Sequence, residues 1–132
     1  MSKENVRKIH DIYEAFNKGD YSAVIAALDP EVEWRMAENF IYTGEKPKLG
    51  PQAVLEGFRQ IAKDWEDFAV SPEVLHDAGD AVVAEGYYTG THRKSGKDVR
   101  AQFAHFYKLR NGRVTEFQQY TDTAQFRDAV TG

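Results

Sequence analysis

Between residues 68 and 121 four strand-like runs follow one another with very little chain between them: 68–75, 81–91, 99–110 and 113–121. Asn111-Gly112 joins the last two, and both residues tolerate positive φ, as a two-residue hairpin requires. Lys94-Ser95-Gly96-Lys97 joins the second and third, and Pro72 marks an edge or a bulge in the first. Long consecutive strands of this kind pair antiparallel, twist and coil. One face of such a ribbon has to be covered by the rest of the chain.

The amino-terminal half supplies the cover. Val6, Ile9, Ile12, Tyr13 and Phe16 recur at three- and four-residue steps, which predicts an amphipathic helix over 3–18, stopped by Lys18-Gly19. Asp20 can cap a second helix, 21–28, which Asp29-Pro30 ends because the residue before proline avoids helical geometry. Residues 32–36 alternate apolar and charged, a half-buried strand with Val32, Trp34 and Met36 inward. Residues 37–50 read as loop around a short strand at 40–43. Gly50-Pro51 opens a third helix, 51–65, with Val54, Leu55, Phe58, Ile61, Ala62 and Trp65 on one face. Helices first and then a meander make an α+β domain with the helices on one sheet face. At 132 residues without repeat or linker, one domain spanning 1–132 is expected.

Composition narrows the function. There is no cysteine, which removes disulfides, thiol catalysis and cysteine-held metals. The polar start and the lack of an 18-residue apolar stretch lead to the expectation of a cytoplasmic protein without a membrane span. The net charge is −4, and the basic clusters at 92–97 and 108–113 fall at hairpin ends, so no nucleic-acid footprint is expected. His10, His76, His92 and His105 lack the close pairing of a metal motif, and no glycine-rich phosphate loop or nucleophile-elbow serine occurs, so neither metal nor cofactor is expected. Aromatic residues make up 13% of the chain, enough for a generous core or an aromatic-lined cavity.

Several segments, in this order and spacing, carry a resemblance. They are Tyr13 to Asp20, Leu28 to Trp34, Gly86 to Gly90, Phe103-Ala104-His105-Phe106, Asn111 to Val114 and Tyr120 to Thr123. Together they resemble the nuclear-transport-factor-two-like superfamily, and within it the SnoaL-like polyketide cyclases and ketosteroid-isomerase-related proteins. The resemblance implies a sheet wrapped around three helices as a cone, one central pocket, and a homodimer packed through the sheet's outer face. It implies a small apolar or aromatic ligand. As an enzyme, such a protein would be a cofactor-free cyclase or isomerase acting on an apolar carbonyl compound. The alternatives are a non-catalytic carrier or sensor, or a dimeric protein-interaction module, since one fold hosts many activities.

Alternation along strands selects candidate residues. If Lys108 and Arg110 face water, then Ala101, Phe103, His105, Tyr107 and Leu109 face the concave side. For 113–121 the pattern leaves both parities open; the resemblance to ketosteroid isomerases favours the set with Phe117 and Gln119. For 81–91 the choice between Glu85 with Tyr87 and Ala84, Gly86 with Tyr88 stays open. His105 is the candidate acid or oxyanion donor, because histidine titrates near neutrality. Its bland alternative is a buried, satisfied histidine. Asp122 is the candidate proton partner; its bland alternative is a cap for a helix over 123–130. Trp34, Tyr42, Phe58, Phe103, Tyr107, Phe117 and Gln119 are the candidate substrate-binding residues.

The same resemblance exposes departures. Where steroid isomerases carry a carboxylate base, this chain has Arg35 and Met36; where they carry a helix tyrosine, it has Ile12, with Tyr13 one step around. Where the related cyclases and epoxide hydrolases carry an aspartate, it has Gln119, and an amide transfers no proton.

Overall fold

A computed structural model describes residues 2–42 and 46–131. Helix α1, Ser2–Asn17, buries Ile9, Ile12 and Tyr13, the predicted stripe. It stops as read: Gly19 takes φ 78°, and the Gly19 and Asp20 amides donate to the Phe16 and Ala15 carbonyls. Asp20 caps α2, Tyr21–Ala26, by accepting from the Ala23 amide at 3.2 Å. Helix α3, Pro51–Asp64, carries proline in its first turn after Gly50 at φ 84°.

Strand β1 is Leu28–Arg35, longer than the predicted 32–36. It takes in Asp29 and Pro30, expected only to end a helix. Its register shifts between Leu28 and Glu33, so Pro30 lies where no ladder hydrogen bond is asked of it. The short strand expected at 40–43 does not form over 40–42, where Ile41 and Tyr42 are in a turn; Thr43 lies outside the described residues. Its place is taken by β2, Lys48–Leu49, paired antiparallel with β1. Then come β3, Trp65–Asp77; β4, Ala81–His92; β5, Asp98–Arg110; and β6, Arg113–Thr121. Trp65, read as the end of a helix face, begins β3 instead and is buried there.

The sheet order is β2-β1-β6-β5-β4-β3. Every pair is antiparallel except β1 with β6, so the sheet is mixed. Asn111 and Gly112 take φ 53° and 77° at the β5–β6 turn, as the hairpin signal demanded. On β5 the alternation is clean: Ala101, Phe103, His105, Tyr107 and Leu109 are buried, while Gln102, Phe106, Lys108 and Arg110 are exposed.

Strand β6 obeys neither simple parity. Val114, Phe117 and Gln119 are all buried. The β5 partners explain why: Leu109 faces Val114 but Lys108 faces Glu116, which leaves Thr115 as an extra residue. That bulge turns the strand over by one position and sends Phe117 and Gln119 to the inner face.

Helix α4, Thr123–Val130, closes the wide end by burying Phe126 against Phe40, Trp65 and Tyr88, with ring centroids 4.9, 5.8 and 5.5 Å away. Asp122 caps it, taking the Gln125 amide at 3.4 Å and the Gln125 side chain at 3.0 Å.

Candidate functional site

The helices do not fill the concave face completely. A cavity of about 60 Å³ remains between them and the sheet. Trp34, Phe58, Tyr107 and Phe117 wall it, as predicted, together with Phe16 and Phe68. Trp34 stacks on Phe117 at 3.8 Å. Phe16, Met36, Ile61 and Phe68 are only half-buried and form the thinner part of the wall.

One polar array breaks this apolar lining. His105 is 2% exposed and sits centrally on β5. Its Nδ1 lies 2.7 Å from the Tyr13 hydroxyl on α1, and its Nε2 lies 2.6 Å from the Tyr88 hydroxyl on β4. Gln119 on β6 donates from Nε2 to the Tyr88 oxygen at 2.8 Å. The Gln119 Oε1 accepts from the Ala37 backbone amide at 3.1 Å. A backbone amide only donates, so this contact fixes which way the carboxamide points. Tyr107, which also borders the cavity, meets the Tyr13 ring edge-on with centroids 6.0 Å apart. Four elements thus converge on one imidazole.

Burial decides the charge state. Desolvation lowers the His105 pKa to about 3, so the ring is neutral at physiological pH. Desolvation likewise pushes the Tyr13, Tyr88 and Tyr107 phenols up from their ordinary range. The array is uncharged throughout. No Asp, Glu, Lys or Arg is among the described residues that line the cavity.

Three predicted site residues lie elsewhere. Asp122 is exposed and caps α4, so its carboxylate faces the helix start rather than His105. The proton-partner role is corrected to a structural cap. Phe103 stacks flat on His105 at 4.0 Å but does not line the cavity, because it lies one strand step behind the ring. Tyr42 is half-buried outside the cavity. It donates to Asp64 Oδ2 at 2.7 Å and accepts from Trp65 Nε1 at 2.9 Å, which ties the segment after Phe40 to the end of α3. Burial opposes ionisation of Asp64, but hydrogen bonds from Gln60 and Tyr42 outweigh it and hold the carboxyl below its usual range.

Sequence reasoning passed over Tyr13 and Tyr88 as site residues. Tyr13 carried a signal: a hydroxyl on an apolar helix stripe needs a buried partner. For Tyr88 the signal was Glu85. An exposed carboxylate at 85, here paired with His76, places 84, 86 and 88 on the inner face.

Helices held in the concave face of a curled mixed sheet define the class: an α+β domain of the nuclear-transport-factor-2-like fold. Residues 9–117 match the SnoaL-like domain family, and the chain belongs to that family. An NTF2-like protein from Burkholderia thailandensis superposes with a TM-score of 0.91 at 29% identity, over 97% of this chain and 98% of that one. An NTF2-like protein of unknown function from Burkholderia pseudomallei does so with a TM-score of 0.89 at 27% identity, over 100% of both chains. A protein of ketosteroid-isomerase-like fold from Catenulispora acidiphila, crystallised with trimethylamine, superposes with a TM-score of 0.81 at 14% identity, over 92% of this chain and 90% of that one. No curated protein matches the chain in sequence.

Proposed function

We propose that this protein binds a small, uncharged, mostly apolar molecule in the cavity beside His105, as a carrier or sensor rather than as a cyclase or isomerase. The observation that carries this reading is an apolar wall interrupted only by a neutral, internally hydrogen-bonded array. Burying an ionised ligand there would leave its charge unpaired, which is costly in an apolar site.

Proton shuffling at carbon needs a base in the pocket. The neutral His105 ring has both nitrogens already engaged and a strongly depressed proton affinity. Asp122, the candidate proton partner, is exposed, and so are the carboxylates of Glu38 and Glu85 on the neighbouring segments. These facts favour binding over turnover. Size supports a compact ligand. An apolar cavity of roughly 150 Å³ holds benzene. The hollow here, about 60 Å³, is less than half of that. By that proportion only about two or three heavy atoms fit, so acetone or anything larger has to displace part of the wall, and the unbranched, half-buried Met36 is the side chain best suited to move. On the sheet's outer face Phe106 and Tyr120 remain exposed and pack edge-to-face at 5.7 Å. That apolar pair is the physical ground for keeping the homodimer as part of the proposal.

Acetone and acetate share a shape and differ in charge, so together they test the reading. Acetone is expected to shift the NMR signals of Trp34, Phe117 and His105 saturably, with a Kd of roughly millimolar for so few atoms. Acetate is expected to leave them unmoved up to tenfold higher concentration. Equal effects from both, or none from acetone, would contradict it.

A further inference from the structure

Met36 borders two spaces. It lines the cavity, and it also lines a surface groove bounded by Arg35, Glu38, Asn39, Gln118, Thr121 and Thr123. The groove is far roomier, about 890 Å³ against about 60 Å³. Ile12 and Phe117 also stand between the cavity and a surface depression, but they are only 5% and 3% exposed. Phe117 is stacked on Trp34 and sits in a strand paired on both sides. Met36 is half-buried and lies one residue past the end of β1.

The backbone on either side of Met36 is pinned. Arg35 pairs with Gln118 on β6, and the Ala37 amide donates to Gln119 Oε1 at 3.1 Å. What is free to move is the side chain, which has three rotatable bonds, no branch and no ring. The other half-buried residues of the wall are worse suited to yield. Phe16 packs edge-on against Phe58 with centroids 5.0 Å apart, and Phe68 has the Trp65 and Tyr88 rings both 5.7 Å away. Ile61 is β-branched and sits on α3, where one rotamer dominates.

We propose that the Met36 side chain is the door between groove and cavity, and that the site takes a linear molecule whose apolar end lies against Trp34 and Phe117 and whose uncharged polar end emerges past residue 36 into the groove. The ligand class rests on the binding role proposed above; the position of the door does not. The closed cavity holds only about two or three heavy atoms, so the rest of a longer ligand has to lie outside it. Outside, Asn39, Gln118, Thr121 and Thr123 supply neutral amides and hydroxyls for a polar end. A chain follows the path that the unbranched thioether vacates, and a globular molecule of the same volume does not.

Met36→Ala removes the door. Its crystal structure is expected to show the hollow beside Trp34 open to the groove, and a wall still closed at residue 36 overturns the door. The ligand class is read with 1-butanol against 2-methyl-2-propanol, which hold the same atoms in linear and globular form, by titration followed at the Trp34 NMR signals. Wild type is expected to favour 1-butanol about tenfold, the effect of about two more buried methylenes. Met36→Ala is expected to admit both alcohols and to speed the exchange of 1-butanol about tenfold, because an open rotamer populated at roughly 10% or less no longer limits entry. Met36→Ile, similar in size but stiff, is expected to slow that exchange below wild type. Equal exchange rates in all three proteins, or no preference in wild type, overturn the proposal. If neither alcohol enters the cavity, the binding role fails, while the Met36→Ala structure still decides the door.

Discussion

Taking this protein from pH 7 to pH 4 is expected to remove about 3 kcal/mol of stability through His105 alone. Its folded pKa is about 3, against an ordinary value of 6.5. At pH 7 the ring is neutral in both the folded and unfolded states. Below 6.5 the unfolded ring takes up a proton and the buried ring does not, so each further pH unit favours unfolding by about 1.4 kcal/mol. The loss continues until the folded ring itself is protonated near pH 3. Three kilocalories is a large share of a typical domain's roughly 5–15 kcal/mol. The opposite limb has the opposite cause. Tyr13, Tyr88 and Tyr107 have raised folded pKa values, so the unfolded phenols ionise first above about pH 10 and stability falls again. Urea unfolding at pH 7, 5.5 and 4 checks the acid limb, with His105→Gln as reference. The surface carboxylates and histidines contribute equally to both proteins, so the difference in slope isolates residue 105. Parallel slopes would show that the ring is not buried neutral.

Gly86→Ala is expected to cost about 3 kcal/mol or more, enough to leave much of the protein unfolded. A Cβ on Gly86 would meet the Ser71 carbonyl oxygen at 2.1 Å and the Pro72 Cα at 2.7 Å, both backbone atoms that no rotamer change can move. The crowding comes from the bend of β3 over β4, whose register shifts between Pro72 and Val74. Gly90, two residues past Tyr88, repeats the arrangement less tightly, with Phe68 at 3.0 Å. The two glycines let β3 curl inward, and the curl makes the sheet concave behind Tyr88. Thermal unfolding of Gly86→Ala beside Gly112→Ala separates the effects. At Gly112 a Cβ meets nothing within 4 Å and only the positive φ is penalised, so the loss there is expected to be about 1 kcal/mol. A wild-type melting temperature for Gly86→Ala would mean that β3 does not press on β4 as described.

Local chemistry made much of this fold legible. The stop at Gly19, the helix start at Gly50-Pro51, the cap at Asp20, the Asn111-Gly112 turn and the α4 cap at Asp122 are written in residues whose effects reach only a few positions along the chain. The inner face of β5 followed from two charges at 108 and 110. What stayed hidden depended on partners distant in sequence. The Thr115 bulge is a mismatch with Lys108 and Leu109, and nothing in 113–121 alone announces it. The region between β1 and α3 was misread because apolar residues at 40–42 pattern like a strand, whereas Phe40 is used to pack against Phe126, 86 residues onward.

The site was legible in its centre and not in its connections. His105, Gln119 and four of the aromatic residues are where alternation and the family resemblance led. The array they form requires Tyr13 from the first helix and Tyr88 from a strand of open parity, across 92 and 17 residues of sequence. Asp122 drew attention as a carboxylate near the right strand, but the turn chemistry that capping exploits was the stronger local force. With Asp122 outside the pocket, no carboxylate stands beside His105 among the described residues that line the cavity.

Crystals pressurised with xenon test most directly whether a hollow exists beside a neutral His105. Xenon seeks dry, apolar space and ignores sites that hold charge or tightly bound water. One strong peak is expected between Trp34, Phe58 and Phe117, within contact of the His105 ring, with Tyr13 and Tyr88 unmoved. A site without xenon, its volume taken up by repacked side chains or by a carboxylate turned inward, would contradict the account.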